Sequence, residues 1–155
     1  MISPELLRRY PCFGQLDDAQ LRAIASIARE EQFKRGATLI REGQPAEALC
    51  LLMKGNIDLH ITVEDENNPK SRKDYPVGEI NVGELFGLGS LVEPHRYNVT
   101  ARAADEGILL KIDGAALRGL LEKDEGLAFQ MMRHVAQALS ERLQATRLQL
   151  AAARL

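Results

Sequence analysis

Residues 83–103 read GELFGLGSLVEPHRYNVTARA. Gly83, Gly87 and Gly89 open the stretch, and 97–103 reads as a strand. A glycine turn running into a short helix offers backbone N–H groups to an anion such as phosphate. Such a cradle also needs a cation aimed into it, so the identity of that cation decides what the stretch can hold. Three kinds of site fit a glycine cassette. A nucleoside-triphosphate loop needs G-x-x-x-x-G-K-[ST], but Leu88 and Gly89 stand where polar residues are required and no Lys follows. A dinucleotide fingerprint needs G-x-G-x-x-G inside a βαβ unit, and here both order and context differ. A smaller anion site, built from backbone N–H groups and one cation from the next strand, fits the residues best.

Outward from the cassette, Gly36, Gly43, Gly55 and Gly78 punctuate the middle of the chain. Short apolar runs lie between them at 38–40, 48–53 and 57–63. Ile57, Leu59, Ile61 and Val63 alternate with Asp58, His60 and Thr62, the period of a strand with one buried face. Residues 108–112 read as a further strand. Many short strands joined by glycine turns predict a small β-barrel or sandwich. The polar segment EDENNPKSRKD, 64–74, places acids first and bases second. It reads as a solvated loop, with a partner-docking loop as the alternative.

Helices flank this β-rich middle. Ser3, Pro4 and Glu5 supply an N-cap, a first helical residue and a first-turn acid. A short helix should follow, with Leu6, Leu7 and Tyr10 on one side and Pro11 at its end. Asp17 with Gln20 resembles a capping box, and Leu21, Ile24, Ala25 and Ala28 carry a second helix to about Glu30. Asp113 caps a short helix bearing Leu117, Leu120 and Leu121. Asp124 and Glu125 begin a long one whose seam runs Met132, Val135, Leu139, Leu143, Thr146, Leu150. A helix over 125–155 would be ~45 Å long, more than a small barrel needs as a lid. Leu143, Leu148 and Leu150 on its far half call for a second chain to cover them. The pattern predicts a homodimer packed along this helix in coiled-coil style; the alternative folds the helix back onto its own barrel.

The bulk numbers exclude several classes. A chain of 155 residues is enough for one domain with a real core. A net charge of −2 leaves no electrostatic footprint for nucleic acid. Cys12 and Cys50 lack partners at metal-ligand spacing, and no His, Asp or Glu set supplies one, so no metal is expected. Two thiols without a secretory leader, and no run of ~20 apolar residues, point to a cytoplasmic protein away from the membrane. There is no Ser or Cys nucleophile with a plausible local base, and Glu84 reads as a helix-start acid. His60, His95 and His134 read as solvated side chains, while His95, Arg96 and Asn98 together can also meet an anion. Met131 and Met132 read as core filler. No enzyme activity is expected.

Taken together, FKRGATLIREG (33–43), LCLLMKG (49–55), GELFGLGSL (83–91), TARA (100–103) and the LLKI run before two helices resemble the cyclic nucleotide-binding domain family, especially its catabolite-activator-type sensor domains. The resemblance covers nearly the whole chain. The spacing of Gly36, Gly43, Gly55, Gly83 and Gly87 is its most specific part. It implies a mainly β fold with flanking helices: a jelly-roll barrel of about eight strands, short N-terminal helices and a long C-terminal helix. It implies a single domain over 1–155, with N-terminal helices in 1–31, the barrel in 32–112 around a cassette at 83–91, and C-terminal helices in 113–155. The long helix, about 125–153, would cap the ligand and form the dimer through Met132, Val135, Leu139, Leu143 and Leu150.

The chain departs from the family at the two groups that hold the ligand. The family's F-G-E motif, whose Glu meets the ribose 2′-hydroxyl, stands here as Phe86-Gly87-Leu88. A buried hydroxyl left without an acceptor costs about 1–3 kcal/mol. Counting back from Thr100-Ala101-Arg102-Ala103, the family's phosphate-binding Arg falls on Tyr97, and Arg96 lies one residue early. Neighbouring strand residues face opposite ways, so Arg96 should point away from the pocket unless a bulge realigns it. In the C-terminal helix the resemblance places Thr146 against the base, with Arg147 where catabolite activators carry Ser. The candidate pocket is therefore Gly83, Phe86, Gly87, Leu88, Gly89, Arg96, Tyr97, Asn98 and Thr146. The expected function is a non-enzymatic regulatory domain with an altered cassette, holding a cyclic nucleotide or another small anion and needing no other cofactor. Its partners would be a second copy of itself and a protein yet to be identified, without direct DNA binding. The alternatives are a ligand-free dimerisation module and the sensor half of a transcription regulator.

Overall fold

The computed structural model describes residues 2–155, and of Pro69 the backbone alone. Two short helices come first. In α1 (Pro4–Arg8) the Ser3 hydroxyl accepts from the Glu5 N–H, and in α2 (Asp18–Ser26) Asp17 and Gln20 form a reciprocal capping box. Eight strands follow: β1 (Ala28–Phe33), β2 (Thr38–Ile40), β3 (Ala48–Lys54), β4 (Ile57–Asp65), β5 (Asn68–Ile80), β6 (Leu85–Phe86), β7 (Thr100–Ala103) and β8 (Gly107–Asp113). They form two antiparallel four-stranded sheets, ordered β1-β8-β3-β6 and β2-β7-β4-β5, the expected jelly-roll. Helices α3 (Gly114–Lys123) and α4 (Glu125–Ala153) close the chain.

The run Leu49–Met53 has a simple cause: β3 is buried on both faces. Ala48, Cys50 and Leu52 point into the core between the sheets, with Phe33, Phe86 and Leu109. Leu49 and Leu51 point the other way, into a second core shared with Leu7, Phe13, Leu21, Ile24, Leu127 and Met131 of the helical layer. Both sides of such a strand must be apolar, so the polar–apolar alternation disappears. The two cysteines lie in these cores as free thiols, Cys50 between the sheets and Cys12 under the helices.

Three expectations are corrected. The second helix stops at Ser26 rather than about Glu30, and Ala28 and Glu30 belong to β1, which pairs with β8 from Ala28↔Ile112 to Phe33↔Gly107. The barrel therefore begins at residue 28, not 32. Residues 64–74 are not a solvated loop: they form the end of β4, a tight turn and the start of β5, with Glu64 opposite Arg72 and Asp65 opposite Asn68. The acids-then-bases order is a cross-strand charge pattern, and Arg72 pairs with Glu64. Finally, β7 begins at Thr100, not Tyr97. Upstream, 43–46 and 95–97 are joined by separate backbone bonds, including Tyr97 N–H to Gln44 C=O (3.0 Å) and Ala46 N–H to His95 C=O (2.8 Å).

Candidate functional site

The cassette lies where β6 ends against β3. Gly87 follows Phe86 with φ of 74°, and a side chain there would meet the Ala48 carbonyl oxygen and the Tyr97 ring. Only glycine takes that conformation beside that wall at no cost. A single 3-10 turn, Leu88–Ser90, follows. It is tied down by the buried Ser90 hydroxyl, which donates to the Gly87 carbonyl (2.9 Å), and by Arg118, whose Nη1 donates to the Ser90 carbonyl (2.7 Å). Gly89 packs directly on the Arg96 carbonyl oxygen, so the turn and the 95–97 segment are built against each other.

A cavity of about 310 Å³ opens beside this turn. Six of the expected residues line it: Gly87, Leu88, Gly89, Arg96, Tyr97 and Asn98. The other three do not. Gly83 lines a separate 270 Å³ cavity with Cys12, Glu84 and His134. Phe86 is wholly buried in the core between the sheets. Thr146 is exposed on α4, with its hydroxyl donating to the Arg142 carbonyl one turn back (2.8 Å).

Tyr97, at the family's arginine position, and Arg96, one residue early, both have partners in the backbone. The Tyr97 hydroxyl donates to the Ala48 carbonyl (2.9 Å) and accepts from the Ala48 N–H (3.1 Å). Burial pushes that phenol above its ordinary pKa, with the hydrogen bond to Ala48 opposing. Tyr97 is thus a buried strut between β3 and the cassette. Arg96 is exposed, and its Nη1 donates to the Gly43 carbonyl (2.8 Å).

The cavity has a second cation that sequence reading passed over. Arg142, on α4, lines the same wall, and its Nη2 donates to the carbonyl of Leu85, the residue that opens β6. It is half-buried, and burial holds its guanidinium below the ordinary arginine value, with Glu84 and Glu141 opposing. Among the described residues no carboxylate forms an ion pair with Arg142 or Arg96. The signal was present in RLQAT, 142–146, read for Thr146 when Arg142 is the residue one turn nearer the barrel. Helical geometry places the two on one face.

On α4 the buried side chains are Leu127, Met131 and Val135, all facing this chain's own barrel. Val135 therefore leaves the expected dimer seam: it is 3% exposed in the monomer. Met132, read as core filler, is exposed, as are Leu139, Leu143, Leu148 and Leu150. Among the described residues no group of three His, Cys, Asp or Glu side chains is placed to hold a metal ion, and no helix is long and apolar enough to cross a membrane.

The family model of the cyclic nucleotide-binding domain matches residues 30–124. A crystal structure of a protein from Geobacter metallireducens, described as cyclic nucleotide-binding, is 34% identical, covers 92% of this chain and 99% of its own, and superposes with a TM-score of 0.79. A protein of Rhodopseudomonas palustris described as a potassium channel is 25% identical over 83% of this chain. The "CRP-like cAMP-activated global transcriptional regulator" of Mycobacterium tuberculosis is 23% identical over 87% of it. The chain spans 29% of the first of these two relatives and 58% of the second. A two-sheet jelly-roll, a glycine cassette at the end of β6 and a family match over most of the barrel lead to one conclusion: the chain belongs to the cyclic nucleotide-binding domain family.

Proposed function

We propose that this domain is a non-catalytic sensor in which a small anion enters the cassette cavity and is held by Arg142 rather than by a strand arginine. The observation that carries this reading is Arg142 itself. It is a half-buried cation on the cavity wall with a backbone carbonyl as its partner and no carboxylate paired to it. A guanidinium paired with a neutral carbonyl gains from an anion, because charge-assisted bonds are roughly twice as strong. Arg142 also links α4 to β6, so an anion that draws it off the Leu85 carbonyl changes how the long helix is held. That differential contact is what a ligand needs to shift a conformational equilibrium.

The output runs through α4. Met132, Leu139, Leu143 and Leu150 lie on it at intervals of 7, 4 and 7 residues and are exposed. This is the spacing of a coiled-coil seam, and a second copy of the chain is its natural occupant. Leu139 belongs both to the seam and to the cavity wall, so occupancy and helix pairing share a residue. The relatives support a regulatory role, since their printed names attach this module to a channel and to a transcriptional regulator.

The test is a thermal-shift panel of cyclic AMP, cyclic GMP, inorganic phosphate and simple carboxylates on wild type, Arg96→Ala and Arg142→Gln. At least one anion should raise the melting temperature of wild type and Arg96→Ala by several degrees and leave Arg142→Gln unmoved. Stabilisation that survives in Arg142→Gln, or no stabilisation by any anion, rejects the reading.

A further inference from the structure

The cassette cavity is mismatched to a nucleotide in a specific way, and the mismatch defines another ligand class. Its walls are largely hydrocarbon: Ile40, Leu88, Val92, Pro94, Val99 and Leu139 all line it. Leu88 is buried, and it packs into the helical core with Leu91 and Leu127. Val92 and Leu139 line the cavity while 45% and 47% exposed, which leaves apolar surface uncovered on both. A ribose would bring hydroxyls to these walls, and burying a hydroxyl without a partner is costly. The polar side chains that remain are few. Asn98 and Arg96 are exposed, so water competes for both, and Glu93 places a negative charge on the wall. The volume, about 310 Å³, lies at the small end of the ~300–1,000 Å³ typical of ligand pockets.

Arg142 as the half-buried cation of the wall, with six apolar side chains beside it, is the complement of an amphipathic monoanion. We infer that the cavity takes a small monocarboxylate with an apolar body, its carboxylate on Arg142 and its body against Ile40, Val92, Val99 and Leu139, in place of a cyclic nucleotide. The inference rests on the anion-sensor reading above and narrows its ligand. A carboxylate matches the planar guanidinium fork, and the body covers the two exposed side chains.

The probe is octanoate, compared by isothermal titration with octan-1-ol and cyclic AMP on wild type, Arg142→Gln and Leu88→Glu. Octanoate should bind wild type saturably at one site per chain, at least ~10-fold tighter than octan-1-ol, because the alcohol lacks the charge for Arg142. Arg142→Gln should remove that preference, and Leu88→Glu should weaken octanoate ~10-fold or more by setting a carboxylate in the apolar wall. The octanoate–octanol comparison uses wild type alone, so it decides the matter even if a variant fails to fold. Equal binding of octanoate and octan-1-ol by wild type overturns the inference, as does a preference for octanoate over octan-1-ol that persists in folded Arg142→Gln. Arg142-dependent binding of cyclic AMP tighter than octanoate overturns the inference while leaving the anion-sensor reading intact. Failure of every anion to bind overturns both.

Discussion

Tyr97 and the two cysteines show what single side chains contribute. The buried Tyr97 hydroxyl satisfies both backbone groups of Ala48. Tyr97→Phe leaves a buried N–H and a buried carbonyl short of a partner. It should cost about 1–3 kcal/mol. Urea unfolding should show a lower midpoint at unchanged slope; an unchanged midpoint would mean that these bonds are replaceable. Cys12 and Cys50 are buried, and burial pushes both thiols up to about 12. At pH 8 the thiolate fraction is then on the order of 10⁻⁴, so neither should react with an aromatic disulfide reagent while the protein is folded. Both should react in concentrated guanidinium. Rapid labelling of the native protein would place a cysteine at the surface. Residue chemistry also marks the limit of what was legible. Leu88 and Tyr97 were visible as departures from the family pattern. That Tyr97 is a strut and Arg96 a carbonyl donor depends on partners 49 and 53 positions away, which spacing along the chain does not reveal.

Among the elements, the long helix starts where its cap dictates. The Asp124 carboxylate accepts from the Leu127 N–H (3.0 Å) and from the Gln20 side chain (3.2 Å), so its pKa lies below the ordinary Asp value. A lowered folded pKa means that its contribution is present above the unfolded pKa of about 3.9 and is lost as pH falls through the folded value. Asp124→Ala should therefore lower the melting temperature at pH 7, and the gap to wild type should close below about pH 4. A gap that persists at low pH would show that the carboxylate charge is not its source. In the cassette turn, a methyl at Gly89 meets the Arg96 carbonyl oxygen. Gly89→Ala should destabilise the fold by about 1–3 kcal/mol and disturb the cavity wall. Elements were legible where a local signal is strong. Ser3, Asp17, Asp113 and Asp124 each cap a helix as expected. The β4–β5 hairpin was not, because β7 pairs β4 only along Ile57–His60. Beyond His60 the hairpin lacks that third strand, Val63 is 47% exposed, and the polar sequence looks like a loop.

For the whole molecule, glycine turns, strand periods and caps made a small β-barrel or sandwich with flanking helices legible, and the resemblance to the family made it a jelly-roll. The site was legible only in part. Its cassette is continuous in sequence, whereas the cation at its wall comes from α4, 57 residues after the Leu85 carbonyl it meets. The exposed seam leads to a test of assembly. Leu143→Glu should shift sedimentation from dimer to monomer with the melting curve of the barrel nearly unchanged, since Leu143 is 51% exposed in the monomer. A wild-type protein that sediments as a monomer at high concentration would remove the dimer from the proposal. The central claim is that Arg142 supplies the positive charge the cassette needs. The most direct measurement is the NMR signal of the Arg142 Nε–H, assigned by its loss in Arg142→Gln and followed while octanoate and cyclic AMP are titrated separately. The prediction is a saturable shift of this signal with the anion that binds, while the Arg96 signal stays in place. Binding heat accompanied by movement of Arg96 alone, with Arg142 still on the Leu85 carbonyl, would contradict it.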